Sequence, residues 1–122
     1  MQGTDGRRTS FTGKAFRKAS SIYALPVHFV IADGIVTMEG NGPLNGTPCE
    51  LGKIVLADDL VAADSTCARL MGLDPERVSH IRQGSRFLGN ASPAFIDQVA
   101  ESIQPPTTPF QLVPEFRHLY SP

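Results

Sequence analysis

The chain has 122 residues, with 11 Lys and Arg residues against 12 Asp and Glu residues, and 41% of it is hydrophobic. This length fits one domain with a modest core, and a net charge of -1 gives no overall attraction for nucleic acid or an anionic membrane. Two cysteines are too few for a disulfide-rich secreted scaffold. No apolar run reaches the roughly 20 residues of a membrane-spanning helix. We therefore expect a soluble cytoplasmic domain that binds neither nucleic acid nor membrane.

The near-neutral total hides an uneven distribution of charge along the chain. Residues 1–20 contain five basic residues against Asp5, a net charge of +4, and the remainder carries -5. Residues 1–20 are therefore predicted to be a basic leader, either a flexible terminus or an arm for an anionic ligand. Residues 21–104 are predicted to form an α/β domain, and residues 105–122 a proline-rich C-terminal tail.

Two short apolar runs predict the strands of this domain. Residues 27–32 form the first run, which residues 35–38 extend after Asp33-Gly34, and residues 53–57 form the second. Continuous apolar runs of this length are typical of strands that are covered on both faces.

Three helix starts follow the second run. Asp58 or Asp59 can cap a helix over residues 60–71, with Gly72 just beyond its end. Asp74-Pro75 predicts a second start and Ser92-Pro93 a third, whose apolar residues 96, 99 and 103 share a helical face. Residues 111–116 are compatible with a short edge strand. This order predicts an α/β fold: a small, mostly parallel sheet with helices packed on it, and too few strands for a complete domain.

The segment between the two apolar runs is the leading candidate site. Residues 33–46 predict a glycine-rich loop, which either simply connects two strands or turns its backbone N–H groups toward an anion. Neither the dinucleotide-binding nor the phosphate-loop glycine spacing is present. The glycine-rich positions expected to approach a ligand are Gly34, Gly40, Asn41, Gly42 and Gly46.

Acidic residues in and after this loop suggest a divalent cation as its ligand. Asp64 falls on the apolar side of the predicted helix, where it needs either a structural partner or a cation. Hard cations such as Mg²⁺ and Ca²⁺ prefer carboxylate oxygens. The candidate ligand or acid–base residues are Asp33, Glu39, Asp58 and Asp64.

The number and spacing of the cysteines argue against a metal–sulfur cluster held by this chain alone. Cys49 and Cys67 are 18 positions apart and form no Cys-x-x-Cys pair. Since an iron–sulfur cluster takes four thiolates, we expect none from this chain by itself. Cys67 is predicted to be a small core residue, and Cys49 a more exposed thiol in a polar loop.

Three segments carry a resemblance to a known family: Ile31-Ala32-Asp33-Gly34 with Met38-Glu39-Gly40-Asn41-Gly42-Pro43 and Gly46; Leu56-Ala57-Asp58-Asp59-Leu60-Val61-Ala62-Ala63-Asp64; and Met71-Gly72-Leu73-Asp74-Pro75. Over about residues 27 to 100 the chain resembles the carboxy-terminal half of the domain of unknown function 362 family. The family usually has proline at position 60, where this chain has leucine. Some members carry ferredoxin-type iron–sulfur modules, and their domains extend further upstream. The resemblance therefore implies a fragment or a reduced member of the family.

Three hypotheses of function follow, and whether the chain is an enzyme stays open. The first is a redox-associated domain that binds a metal or anion where loop 33–46 meets the helix start 58–64. The second is a non-catalytic interaction module or fragment. The third is a partner subunit that docks a ferredoxin-like iron–sulfur protein. Because few strands leave open sheet edges, a homodimer or a missing N-terminal half would complete the sheet.

Overall fold

The computed structural model describes residues 27–104 and 106–122, so the predicted basic leader 1–20 lies outside the described residues. The described elements are two strands, β1 (Val30–Asn41) and β2 (Asn45–Ala57), and two helices, α1 (Leu60–Leu70) and α2 (Ser79–Gly84). Single 3-10 segments occur at Pro75–Arg77, Pro93–Phe95 and Pro114–Leu119.

The two strands pair as an antiparallel hairpin, so the predicted, mostly parallel sheet is wrong. Val30 lies opposite Ala57 at the open end, and Asn41 lies opposite Asn45 beside the turn. Only residues 42–44 connect the strands. Such a short connection joins antiparallel strands, because parallel strands need a crossover of a dozen residues or more.

The hairpin also replaces most of the glycine-rich loop predicted over residues 33–46. The strands continue through this segment and leave a turn of three residues, with a cis peptide between Gly42 and Pro43. A β-bulge interrupts the pairing between Gly34 and Val36. Gly40 has φ +81°, a left-handed conformation that favours glycine. Glycine here lets two strands pair and bend. The glycine content of a segment does not by itself distinguish a bent strand pair from a loop.

Helix α1 confirms the predicted helix over residues 60–71 to within one residue. Asp59 caps its first turn, and Gly72 follows its end with φ +83°. The Leu73 N–H donates to the Ala68 carbonyl at 2.9 Å, which closes the last turn.

The other two helix starts have different outcomes. Asp74 caps the 3-10 turn Pro75–Arg77, and α2 follows it, as the second start predicts. The third start yields only Pro93–Phe95, and Ala100 then takes φ +77°, so the predicted helix through residue 103 is wrong. An amphipathic repeat forms a stable helix chiefly when its apolar face packs against another element.

The buried core lies on one side of the hairpin. All buried residues in the described ranges come after β2, and α1 packs against both strands. The strands therefore have one half-buried face under α1 and one exposed face. The buried residues of the main cluster are Val61, Ala68, Leu73, Ile81 and Ala91.

The C-terminal tail is held by backbone hydrogen bonds rather than by a regular strand. The segment from residue 111 to 116, a predicted edge strand, instead begins extended and enters the 3-10 segment Pro114–Leu119. Gln111 nevertheless contacts β1: its carbonyl accepts from the Gly40 N–H at 2.8 Å. Tyr120 fixes the tail further, because its hydroxyl donates to the Phe110 carbonyl at 2.8 Å and accepts from the Leu112 N–H at 3.1 Å.

We expect Tyr120→Phe to lower the free energy of unfolding by about 1 kcal/mol, since it leaves both backbone groups without this partner. Urea denaturation measures the change. An unchanged denaturation midpoint would mean that the hydroxyl does not secure the tail.

Candidate functional site

The junction of β2 and α1 is organised by one carboxylate, that of Asp59. Its Oδ1 accepts hydrogen bonds from the N–H groups of Val61 at 2.8 Å and Ala62 at 2.9 Å. Its Oδ2 accepts from the Asn90 N–H at 2.9 Å, which ties the loop after α2 to the start of α1. Glycine at position 89 is required there, because a Cβ would overlap the Asp59 carboxylate. The sequence left Asp58 and Asp59 as alternative caps, and the structure selects Asp59.

A cleft opens beside this junction. Its volume is about 960 Å³, and its two long walls are residues 53–59 and residues 95–103. Phe29, immediately before β1, also lines it. Lys53 and Glu101 form an ion pair between the two walls. Four carboxylates and one lysine are the charged groups among its described lining residues; the carboxylates are Asp58, Asp59, Asp97 and Glu101.

Within residues 27–104 and 106–122, the β2 wall of the cleft is a strand edge with no neighbouring strand. β2 pairs with β1 along one edge, and no backbone hydrogen bond joins residues 53–57 to the opposite wall within the described ranges. In an antiparallel pair, alternate residues direct their N–H and C=O groups away from the partner strand. Among the described residues, no strand occupies the outward backbone groups of β2 in the cleft, the kind of edge to which another strand can pair.

The exposed face of the hairpin, which we call the outer face, is largely apolar, although it also carries the Asp33 and Glu50 carboxylates. Opposed pairs place its side chains together: Ile31 with Leu56, and Asp33 with Ile54. Antiparallel sheets with one face in water usually show polar residues on that face. The large apolar side chains of the outer face are half or more exposed: Ile31 at 69%, Val36 at 62%, Met38 at 50%, Ile54 at 56% and Leu56 at 61%. The sequence predicted strands covered on both faces, and the described residues cover one.

The predicted acidic ligands occupy separate places. The Asp33 carboxylate accepts from the Ile35 N–H at 3.0 Å, beside the bulge. Glu39 is six residues along the same strand, which is about 20 Å of extended chain, and it accepts from the Gln111 N–H at 2.7 Å. Asp64 lies on α1 with its side chain 61% exposed, 3.6 Å from the His80 ring. Of the four candidates, only Asp58 lines the cleft.

Metal binding by these residues stays a prediction. No group of three or more His, Cys, Asp or Glu side chains in residues 27–104 and 106–122 is arranged to hold a metal ion. Asp64 is mostly exposed, although the sequence places it on the apolar side of the helix, and its neighbour on α2 is the His80 ring.

The predicted glycine positions serve the hairpin. A Cβ at Gly34 would stand 3.0 Å from the Lys53 carbonyl of the paired strand. Gly42 and Gly46 leave room for the Met38 thioether, and a Cβ at Gly42 would stand 2.8 Å from its sulfur. Gly40 and Asn41 end β1. The backbone of these residues is therefore used in strand pairing and in the turn.

The two cysteines are free thiols, and both are half-buried. Cys49 lies on β2 opposite Thr37, whose hydroxyl donates to the Cys49 carbonyl at 2.7 Å. Burial raises the pKa of the Cys67 thiol on α1, and the nearby Asp64 carboxylate raises it further. A raised pKa disfavours the reactive thiolate, which suits the predicted structural role of Cys67.

Sequence reasoning missed the second wall of the cleft. The sequence predicts a helix through residues 95–103 and gives Asn90 no role. The signals that could have found this wall are Ser92-Pro93, which permits a single turn, and Pro105-Pro106, which breaks regular structure soon after.

Comparison with known proteins decides the family. The family model described as "Domain of unknown function (DUF362)" matches residues 7–69, a little over half of the 122 residues. The chain belongs to this family. The match confirms the resemblance found in the sequence, although it begins 20 residues before the predicted start at residue 27 and ends at Arg69.

The chain is similar to a thylakoid-associated protein of Synechocystis sp. (strain ATCC 27184 / PCC 6803 / Kazusa). The two are 40% identical over 48 residues, which are 39% of this chain and 15% of the relative. The aligned segment is thus a small part of a much longer protein. No solved structure matches the chain.

No helix in the described part of the chain is long and apolar enough to cross a bilayer. The relative is described as associated with thylakoids. The cytoplasmic location expected from the sequence therefore stays a prediction.

Proposed function

We propose that this chain is a non-catalytic interaction module that accepts an extended segment of polypeptide along the cleft edge of β2. The observation that carries the proposal is a strand edge without a backbone partner in the described residues, facing a cleft of about 960 Å³. Strand addition uses such an edge, because main-chain hydrogen bonds supply affinity and side-chain pockets supply specificity.

The side chains around the edge define the chemistry of the accepted segment. Both walls of the cleft carry exposed apolar side chains, which are 56% to 82% accessible. They are Ile54 and Leu56 on β2 and Phe95 and Val99 on the facing wall. A segment with apolar side chains would cover them and remove that surface from water. The carboxylates of Asp58 and Asp97 at the cleft favour basic residues in the same segment.

Hydrogen exchange followed by NMR on the full chain tests this function. Along residues 46–50, outside the cleft, the amides of β2 that point away from β1 should exchange quickly; Pro48 in this stretch has no N–H to report. Within residues 53–57 we expect the outward amides to exchange at least about tenfold more slowly, since an added strand bonds them.

Residues 46–50 serve as the internal control, because they belong to the same strand and the same hairpin. Equal exchange of the outward amides in the two stretches, both in the chain alone and with an excess of an extended peptide of alternating apolar and basic residues, would overturn the proposal. Slow exchange restricted to the cleft stretch would support it.

No observation on the described residues specifically favours a ferredoxin-like partner. The same holds for metal binding by Asp33, Glu39, Asp58 and Asp64. A homodimer is one source of the accepted segment, and the same measurement at several protein concentrations tests it.

A further inference from the structure

We propose that this chain has a second binding site, a cavity beside Arg69 that takes a small organic monocarboxylate with an apolar body. This cavity, which we call the Arg69 cavity, has a volume of about 820 Å³. Its lining comes from α1, from residues 72–76, from the segment after α2 and from the end of the tail. It shares part of the wall 95–103 with the cleft but contains no residue of β2, so the proposal does not depend on strand acceptance.

The guanidinium of Arg69 is fixed beside this cavity by the fold. Its Nη2 donates to the Ala91 carbonyl, and its Nη1 donates to the Ser65 hydroxyl at 3.4 Å. Ala91 and Arg69 both line the cavity. A cation that is held in place before a ligand arrives loses little conformational freedom when the ligand binds.

Most hydrogen-bond donors of this guanidinium have no protein acceptor in the described residues. A guanidinium has five N–H groups, and the bonds to Ala91 and Ser65 use two of them. The ion pairs found among residues 27–104 and 106–122 involve other cations, and the Asp74 carboxylate pairs with Arg77 at 3.3 Å. A carboxylate ligand fits the remaining donors, because its two oxygens match the planar fork of a guanidinium.

Partial burial makes the unpaired charge of Arg69 costly. Arg69 is half-buried, and burial lowers the pKa of its guanidinium against the opposing effect of the Asp74 and Glu76 carboxylates. A half-buried charge keeps part of its desolvation penalty unless a counter-ion compensates it. A bound carboxylate supplies that counter-ion.

The rest of the lining favours an organic carboxylate over an inorganic anion. Asp74 and Glu76 also line the cavity, and they repel a multiply charged anion such as phosphate more strongly than a monocarboxylate. Five prolines, together with Ile96 and Ile103, supply apolar walls. A monocarboxylate places its charge at Arg69 and covers these walls with its apolar body.

NMR chemical-shift titration of the full chain tests the site with two acids, butyrate and phenylacetate, and with the primary amide of each. Near neutral pH both acids are ionised, whereas their amides have nearly the same shape without the charge. We expect both acids to shift the backbone N–H signals of Arg69, Ala91 and Ser92 with a Kd of about 1 mM or tighter. Phenylacetate should bind the tighter, because it covers more apolar surface. The amides should bind at least about tenfold more weakly, since they lack the charge that pairs with the guanidinium.

Two variants locate the binding. Arg69→Gln removes the cation and should weaken both acids by about tenfold or more, with little effect on the amides. Glu76→Lys replaces a repulsive charge of the lining by an attractive one and should tighten both acids by about threefold at low salt. Because Glu76 is exposed, this variant tests the site even if Arg69→Gln unfolds. Arg82→Gln, at an exposed arginine outside the cavity lining, is the matched control and should leave both affinities unchanged.

Three results would overturn the proposal: equal affinity for each acid and its amide, equal affinity of the unmodified chain and folded Arg69→Gln for the acids, or tighter binding of inorganic phosphate than of phenylacetate. A failure of both acids to approach saturation at about 10 mM would overturn it as well. Weaker binding in Arg69→Gln with tighter binding in Glu76→Lys supports it. Neither result bears on strand acceptance, which is measured by the exchange of residues 53–57.

Discussion

Replacing Asp59 by alanine is expected to lower the free energy of unfolding by about 2–3 kcal/mol. The carboxylate accepts three backbone N–H groups, two in the first turn of α1 and one from Asn90. A single N-cap is worth about 1 kcal/mol, and bonds to a charged acceptor are stronger than neutral ones. Urea denaturation of the two proteins measures the difference.

Asp58→Ala is the matched control, since it removes the same side chain one position earlier. Asp58 is exposed, and the capping hydrogen bonds of α1 go to Asp59. The control should change stability by less than about 0.5 kcal/mol. Equal losses in the two variants would show that the charge of the junction matters and the cap geometry does not.

Ile81→Ala is expected to lower the free energy of unfolding by about 2–4 kcal/mol. Ile81 is 4% exposed and belongs to the cluster that joins α1, α2 and the following loop. In a small chain whose strands contribute no buried residue in the described ranges, this cluster supplies much of the apolar burial. Thermal and urea unfolding both report the loss.

The neighbouring exposed residue gives the comparison for this core change. Arg82→Ala shortens a side chain on the same helix outside the core and should cost less than about 0.5 kcal/mol. A loss below about 1 kcal/mol for Ile81→Ala would place the stabilising core elsewhere.

The placement of the acidic residues weakens the link between the glycine-rich segment and ion binding. In a parallel sheet, loop 33–46 and helix start 58–64 would meet at one edge. The hairpin instead separates Asp33 from Glu39 along one strand and gives each a backbone donor. What remains at the predicted edge is the cleft, with Asp58 and the Asp59 cap.

Signals contained within a few residues were read correctly from the sequence. Asp59 or its neighbour followed by an apolar repeat predicts α1, Gly72 predicts its end, and Asp74-Pro75 predicts the next turn. Each depends on hydrogen bonds or dihedral angles within about four residues. Tertiary packing does not need to be known for these features.

The errors arose where partners distant in the sequence decide the structure. Glycines and Pro43 in residues 33–46 are equally compatible with a loop and with a bulged hairpin, and the pairing of residues 36–41 with residues 45–50 settles it. The repeat at residues 96, 99 and 103 fits a helix, yet here the chain forms a cleft wall opposite β2.

The sequence by itself supported the family through the resemblance of three segments, part of each strand, and the capped helix α1. The tertiary structure decided the direction of the strands, the burial of only one sheet face and the open edge beside the cleft. Local propensity favours strand or helix in each segment, because the helix and strand propensities of residues depend mainly on near neighbours. Strand direction, exposed faces and open edges depend on pairing and packing between distant residues, and these are properties of the folded chain.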